Sequence, residues 1–87
     1  MKSSIAKSLY TPEWAFLCEA LTSIRLDKGL TQSELALRLG QPQSFVCKVE
    51  SGQRKLDLRQ FVIYVECMGA NPLDVLERFM TAFSREG

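Results

Sequence analysis

Eighty-seven residues with eleven Lys or Arg against ten Asp or Glu give a net charge of +1, and a chain of this size predicts one small domain. Histidine is absent, and the three cysteines, Cys18, Cys47 and Cys67, are odd in number with no Cys-x-x-Cys pair; neither a disulfide framework nor a zinc site is expected, nor any other cofactor. No apolar run is long enough to span a membrane, and residues 1–10 carry Lys2 and Lys7 without a continuous apolar core, so neither a membrane segment nor a secretory signal is expected, and reduced thiols point to the cytoplasm.

Residues 1–10 read as a short N-terminal arm and residues 11–87 as the domain. Thr11-Pro12-Glu13 opens a first helix: a threonine N-cap, a proline in the first turn, and an acid at the positive end of the dipole. Gly29 can stop that helix in a left-handed cap. Thr31-Gln32-Ser33-Glu34 is a capping box for a second helix, which Gly40 closes. Pro42 suits the first position of a third helix, ended by Ser51-Gly52. Asp57-Leu58-Arg59-Gln60 caps a fourth helix with Gly69 as its stop, and Asn71-Pro72 opens a fifth that runs toward Phe83. No segment sustains the alternation of a strand. The fold class expected is all-α: five helices in one compact domain.

Apolar spacing agrees with these boundaries. Trp14, Leu17, Cys18, Leu21 and Ile24 form one helical stripe; Leu35, Ala36 and Leu39 form another. Phe45, Val46 and Val49 give the third helix an inward face, with Leu58, Phe61, Val62 and Val65 on the fourth and Leu73, Leu76, Phe79, Met80 and Phe83 on the fifth. These stripes predict a packed core. Ile63 and Leu37 fall outside them and, with Phe79, Met80 and Phe83, leave more apolar surface than five helices can easily hide. Small domains gain little from burial alone, so Ile63, Phe79, Met80 and Phe83 are expected in a twofold dimer interface.

The richest stretch runs through residues 30–36 and 40–50. Two short helices flank a tight turn, with Gln43, Ser44 and Lys48 grouped early in the second. That is the layout of a helix-turn-helix, here residues 31–50, whose second helix enters a DNA major groove. Local charge supports it: residues 38–59 carry Arg38, Lys48, Arg54, Lys55 and Arg59 against Glu50 and Asp57, net +3. The segment resembles the Xre/Cro/C1-type helix-turn-helix of bacterial and phage regulators, most closely small single-domain members with a Gly-x-Pro-Gln-Ser-Phe-Val motif. The resemblance is best over residues 30–52 and extends to about residues 14–76. It implies a lambda-repressor-like domain.

Candidate DNA contacts divide by chemistry. Backbone N–H groups at a helix N-terminus attract phosphate, and Gln32 adds a side-chain amide there; the resemblance implies a phosphate clamp at this position. Gln43 and Ser44, in the first turn of the third helix, are the expected base readers, since a glutamine amide pairs with adenine N6 and N7 and a serine hydroxyl donates or accepts. Cys47 and Lys48, one turn on, complete the base-contacting set; the alternative for all four is ordinary solvated helix surface. Ser51, Gln53, Arg54 and Lys55 follow the third helix, where backbone N–H groups and the basic pair are expected to meet a phosphate strand. Arg38 is a further phosphate candidate. The resemblance implies a structural ion pair between Arg25 and Glu50. Pro42 departs from the Ser or Thr more usual before the glutamine, so a capping hydroxyl is lost.

The function expected is a sequence-specific DNA-binding transcriptional regulator. A homodimer would place two reading helices about 34 Å apart on a palindromic operator in double-stranded DNA, and repression by occlusion suits a chain with no room for an effector domain. Activation stays open, since controller proteins of restriction–modification systems resemble this chain in size and fold. The alternative is an antitoxin or protein-interaction module of the same fold, whose apolar last helices cover a small protein partner and which also autoregulates its own operon. An enzyme is not expected: without histidine there is no Cys–His or Ser–His arrangement, and no glycine loop cradles phosphate.

Overall fold

The computed structural model describes residues 11–83; the arm expected at residues 1–10 lies outside them, as do residues 84–87. Five helices follow in order: α1 (Pro12–Asp27), α2 (Gln32–Leu39), α3 (Gln43–Glu50), α4 (Leu58–Cys67) and α5 (Pro72–Ala82). The described residues contain no strand.

Four of the five helices begin at a side-chain cap. Thr11 Oγ1 accepts from the Trp14 N–H at 3.1 Å. The α2 capping box is reciprocal: Thr31 Oγ1 accepts from the Glu34 N–H at 3.0 Å, and Glu34 Oε1 accepts from the Thr31 N–H at 2.8 Å. Asp57 and Gln60 repeat the arrangement on α4, and Asn71 Oδ1 accepts from the Leu73 N–H on α5. Such caps satisfy N–H groups that the helix itself leaves free. Gly40 ends α2 at φ 68°, in the left-handed region, and this turns the chain sharply into α3. Pro42 differs from expectation by one position. It takes the N-cap with extended backbone (φ −69°, ψ 157°), Gln43 is the first helical residue, and no side chain caps α3.

The core gathers Leu21 and Ile24 from α1, Leu35 and Ala36 from α2, Val46 and Val49 from α3, and Phe61, Tyr64 and Val65 from α4. Helices α2 and α3 pack closely on each other, α1 and α4 support them, and α5 lies against α1 and α4.

Two apolar stripes depart from their expected orientation. On α5 the fully buried residue is Val75, whereas Leu73 and Met80 are 70 % and 67 % exposed. Residues 73 and 80 lie seven apart and share one side of the helix; Val75 lies nearly opposite. The face that meets the body therefore carries Val75, with Leu76, Phe79 and Phe83 half-buried beside it. Leu58, expected in the core, is exposed because it is the first residue of α4 and projects past the packed layer. Phe16 fills a role absent from the expected α1 stripe. Its ring meets Phe83 edge-on at 5.5 Å and lies 6.3 Å from Phe79, while Phe79 and Phe83 are 5.2 Å apart. This cluster pins α5 to α1.

Candidate nucleic-acid interface

Helix α3 is divided between core and solvent. Val46 and Val49 are buried, while Gln43, Ser44, Cys47 and Lys48 are all exposed. Positions i, i+1, i+4 and i+5 lie together on a helix surface, so these four side chains form one outward face. With Pro42 supplying neither an N–H nor a cap, the first turn of α3 presents the positive end of its dipole beside Gln43 and Ser44.

A polar network holds this face in place. The guanidinium of Arg25 donates from Nε to Glu50 Oε2 at 2.6 Å and from Nη2 to Oε1 at 3.1 Å. Its Nη1 donates to the Leu30 carbonyl at 2.7 Å. The side chains of Arg25 and Glu50 are 10 % and 8 % exposed. Bonding to the Glu50 carboxylate raises the Arg25 pKa above its ordinary value, against the opposing pull of burial. Gln32 Nε2 donates to Glu50 Oε1 at 3.0 Å, and Gln43 Nε2 donates to Gln32 Oε1 at 2.9 Å. The chain of bonds starts on α1, crosses the end of α3 and the start of α2, and returns to the start of α3. Gln32 thus has two partners within the protein, and one N–H of its amide is not used by these bonds.

The segment after α3 differs from expectation. The N–H groups of Ser51, Gly52, Gln53 and Arg54 point back to the carbonyls of Cys47, Val49, Lys48 and Lys48. A helix C-terminus leaves carbonyls without partners, and the chain satisfies them at once by turning through Gly52 at φ 86°. These four amides are therefore not free for a phosphate strand. The Ser51 hydroxyl likewise donates to the Lys48 carbonyl. What this segment presents outward is side chains: Gln53, Arg54 and Lys55 are exposed. The Arg54 guanidinium lies 5.0 Å above the ring of Phe45 and the Lys55 ammonium 5.6 Å from that of Trp14. The indole of Trp14 donates to the Gly52 carbonyl at 3.3 Å, so α1 clips the segment in place.

Arg38 has a partner within the chain. Its Nη1 donates to the Cys67 carbonyl at 2.8 Å, and the Cys67 thiol lies 3.7 Å from the Arg38 carbonyl. The guanidinium closes the C-terminal end of α4, where a cation favours the helix dipole. Cys47 is an exposed thiol. Tyr64 is 1 % exposed behind Phe45, its ring centroid 6.4 Å away, and its hydroxyl has no hydrogen-bond partner. Burial, reinforced by the Glu50 charge, raises its pKa.

Of the four residues expected at a dimer interface, Phe79, Met80 and Phe83 line one groove and Ile63 is not in its lining. Ile63 is 38 % exposed on α4. Phe79 and Phe83 join Phe16 within the chain, and Met80 faces outward. An apolar groove runs along α5 between Leu73, Leu76, Phe79, Met80 and Phe83. It continues through Leu76 and Phe79 into a recess lined by Leu17, Leu56, Leu58 and Phe61. Among the described residues no group of His, Cys, Asp and Glu is arranged to hold a metal ion, and no helix is long and apolar enough to cross a membrane.

Comparison with known proteins agrees with this geometry. A helix-turn-helix family model matches residues 21–76. An Xre-family-like protein from Pseudomonas syringae pv. tomato superposes with a TM-score of 0.80 at 35% identity, covering 95% of this chain and 100% of that one. The clp gene regulator ClgR from Corynebacterium glutamicum gives 0.72 at 26% identity, over 83% of this chain and 77% of that one. A point mutant of the restriction–modification controller protein C.Esp1396I shares the fold, with a TM-score of 0.75 at 18% identity over 88% of this chain and 98% of its own. No curated protein sequence gives a significant match.

Proposed function

Because this chain belongs to the Xre-type helix-turn-helix family, a family of DNA-binding transcriptional regulators, we propose that it reads a palindromic operator in double-stranded DNA as a homodimer and acts as a cytoplasmic repressor. The observation that carries this reading is the outward face of α3. Gln43, Ser44, Cys47 and Lys48 share it, and the Arg25–Glu50–Gln32 network braces it from behind.

Each group has a distinct part in the proposed contact. Gln43 and Ser44 reach base edges from the first turn of α3, and Lys48, one turn on, reaches a guanine or a phosphate. Gln32 gives its remaining N–H to a phosphate. Gln53, Arg54 and Lys55 contribute side chains to the adjoining strand; these contacts fix register without reading sequence. The two basic side chains rest on aromatic rings, which limits the freedom they lose on binding. The groove along α5 supplies the twofold contact, and the dimer represses by occupying a promoter. A regulator and a controller protein among the structural neighbours support this assignment of role.

A second reading draws on the same groove. Leu73 and Met80 are exposed enough to meet a small protein partner, as an antitoxin of this fold would. Selection of bound duplexes from a random pool, with Gln43→Ala and Ser44→Ala at the same salt concentration, tests the operator reading, and copurification of a small protein tests the partner reading. Recovery of a palindrome by the wild type, relaxed in the variants, supports the operator reading. Copurification of a small protein supports the partner reading.

A further inference from the structure

The hydrogen bonds behind α3 carry direction as well as proximity. A carboxylate paired with a guanidinium accepts hydrogen bonds and donates none. Glu50 therefore requires Gln32 to turn its NH2 group inward, where Nε2 lies 3.0 Å from Glu50 Oε1. That choice leaves Gln32 Oε1 toward Gln43, which must answer with an N–H; Gln43 Nε2 lies 2.9 Å away. The amide of Gln43 is left with its Oε1 and one N–H. An acceptor beside a donor complements adenine, which offers N6–H₂ and N7. With the relay reversed, Gln43 would keep two N–H groups beside one lone pair of Oε1 and would also complement the two acceptors of guanine, O6 and N7, which a single remaining N–H does not.

We propose that Glu50, acting through Gln32, sets which base Gln43 reads. Glu50 is a positioning residue: its side chain is 8 % exposed and it orients the reading amide from behind. The inference rests on α3 being the base-reading helix. It differs from an ordinary bracing role because a brace sets where Gln43 stands, whereas the relay also sets which end of its amide faces outward. Arg25 makes the device robust by occupying both carboxylate oxygens.

The test uses two variants of the full chain. Glu50→Gln preserves shape but can present either end of an amide to Gln32, so the polarity is no longer imposed. Gln32→Met keeps the Arg25–Glu50 pair and removes the relay. Affinities are measured at fixed salt for duplexes bearing adenine or guanine at the step whose selection is lost in Gln43→Ala. In parallel, the side-chain amide resonances of Gln32 and Gln43 are recorded in the free protein by ¹⁵N–¹H spectroscopy. The wild type is expected to prefer adenine. Both variants are expected to lower the adenine-to-guanine ratio by about tenfold, whatever happens to affinity for all sequences alike, and to shift the Gln43 amide resonances. A folded variant that keeps the wild-type ratio, or a wild type that prefers guanine at this step, overturns the proposal. So do Gln43 resonances that neither variant moves. Should Glu50→Gln fail to fold, Gln32→Met decides alone. A wild type that enriches no sequence sinks the DNA-reading function itself, and the amide resonances then judge the relay separately.

Discussion

Around α3, Arg25, Glu50, Gln32 and Gln43 hold one another through hydrogen bonds between 2.6 and 3.1 Å. Around α5, Phe16, Phe79 and Phe83 hold one another through ring contacts at 5.2 to 6.3 Å. Hydrogen bonds specify orientation, because donor and acceptor must match and align. Ring packing specifies nearness and a loose preference of angle. The end of the molecule that meets a patterned surface is thus fixed in direction before any ligand arrives. The other end is fixed only in place, and it keeps apolar surface outward at Leu73 and Met80. Preorganisation suits reading; unspent apolar area suits association.

The contrast breaks most sharply at Arg25. Arg25→Ala leaves the Glu50 carboxylate buried without its cation, and the expected loss is about 3–5 kcal/mol of folding stability. Urea unfolding followed by circular dichroism measures it. A loss under about 1 kcal/mol would mean that the charged network does not hold this end.

The aromatic end should yield less. Phe16→Ala removes the ring that joins α1 to α5, but Phe16 is only half-buried, so about 1–3 kcal/mol is expected. The α3 end should not register the change: affinity for a selected duplex, corrected for the unfolded fraction, stays at the wild-type value. A changed base preference would show that the two ends are coupled.

Tyr64 lies behind the reading face and breaks its rule, since its buried hydroxyl has no partner. Tyr64→Phe removes an unsatisfied polar group and is expected to raise stability by up to about 1 kcal/mol. The effect should grow with alkali. Burial, and then the Glu50 charge, raise the folded pKa above the ordinary 10.0, so the unfolded chain loses the phenolic proton first. Stability is full below about pH 10 and falls as pH climbs beyond it. Thermal melting across that range should show a shallower decline in Tyr64→Phe; parallel curves would remove Tyr64 as the cause.

The smallest effect on the fold is expected from the exposed face of α5. Leu73→Glu combined with Met80→Glu should change the stability of the isolated subunit by no more than about 0.5 kcal/mol. If the groove joins two copies, light scattering at micromolar concentration gives a dimer for the wild type and a monomer for this variant. A monomeric wild type would leave the groove to a different partner.

How far the sequence reaches differs between the same two regions. The helix-turn-helix was legible because its marks are local: Thr31 and Glu34 cap α2, Gly40 turns the chain, and Val46 and Val49 orient α3. The grouping of Gln43, Ser44, Cys47 and Lys48 follows from helical spacing alone. The orientation of α5 was not legible, because it carries apolar residues on more than one side and spacing cannot choose between them. The partners of Gln32 and Arg38 were hidden for another reason. Gln32 meets Gln43 and Glu50 across 11 and 18 residues, and Arg38 meets Cys67 across 29; no short-range pattern marks a contact of that kind.

The sequence by itself determined where α1, α2, α4 and α5 start, since a cap joins groups no more than a few residues apart and acts before any helix meets another. It also determined the family and the face of α3 that turns outward. Only the tertiary structure decided that Val75 rather than Leu73 enters the core, and that Glu50, Gln32 and Gln43 form one directed relay. Those outcomes depend on the angles and distances at which whole helices pack, and packing is settled jointly by the entire core.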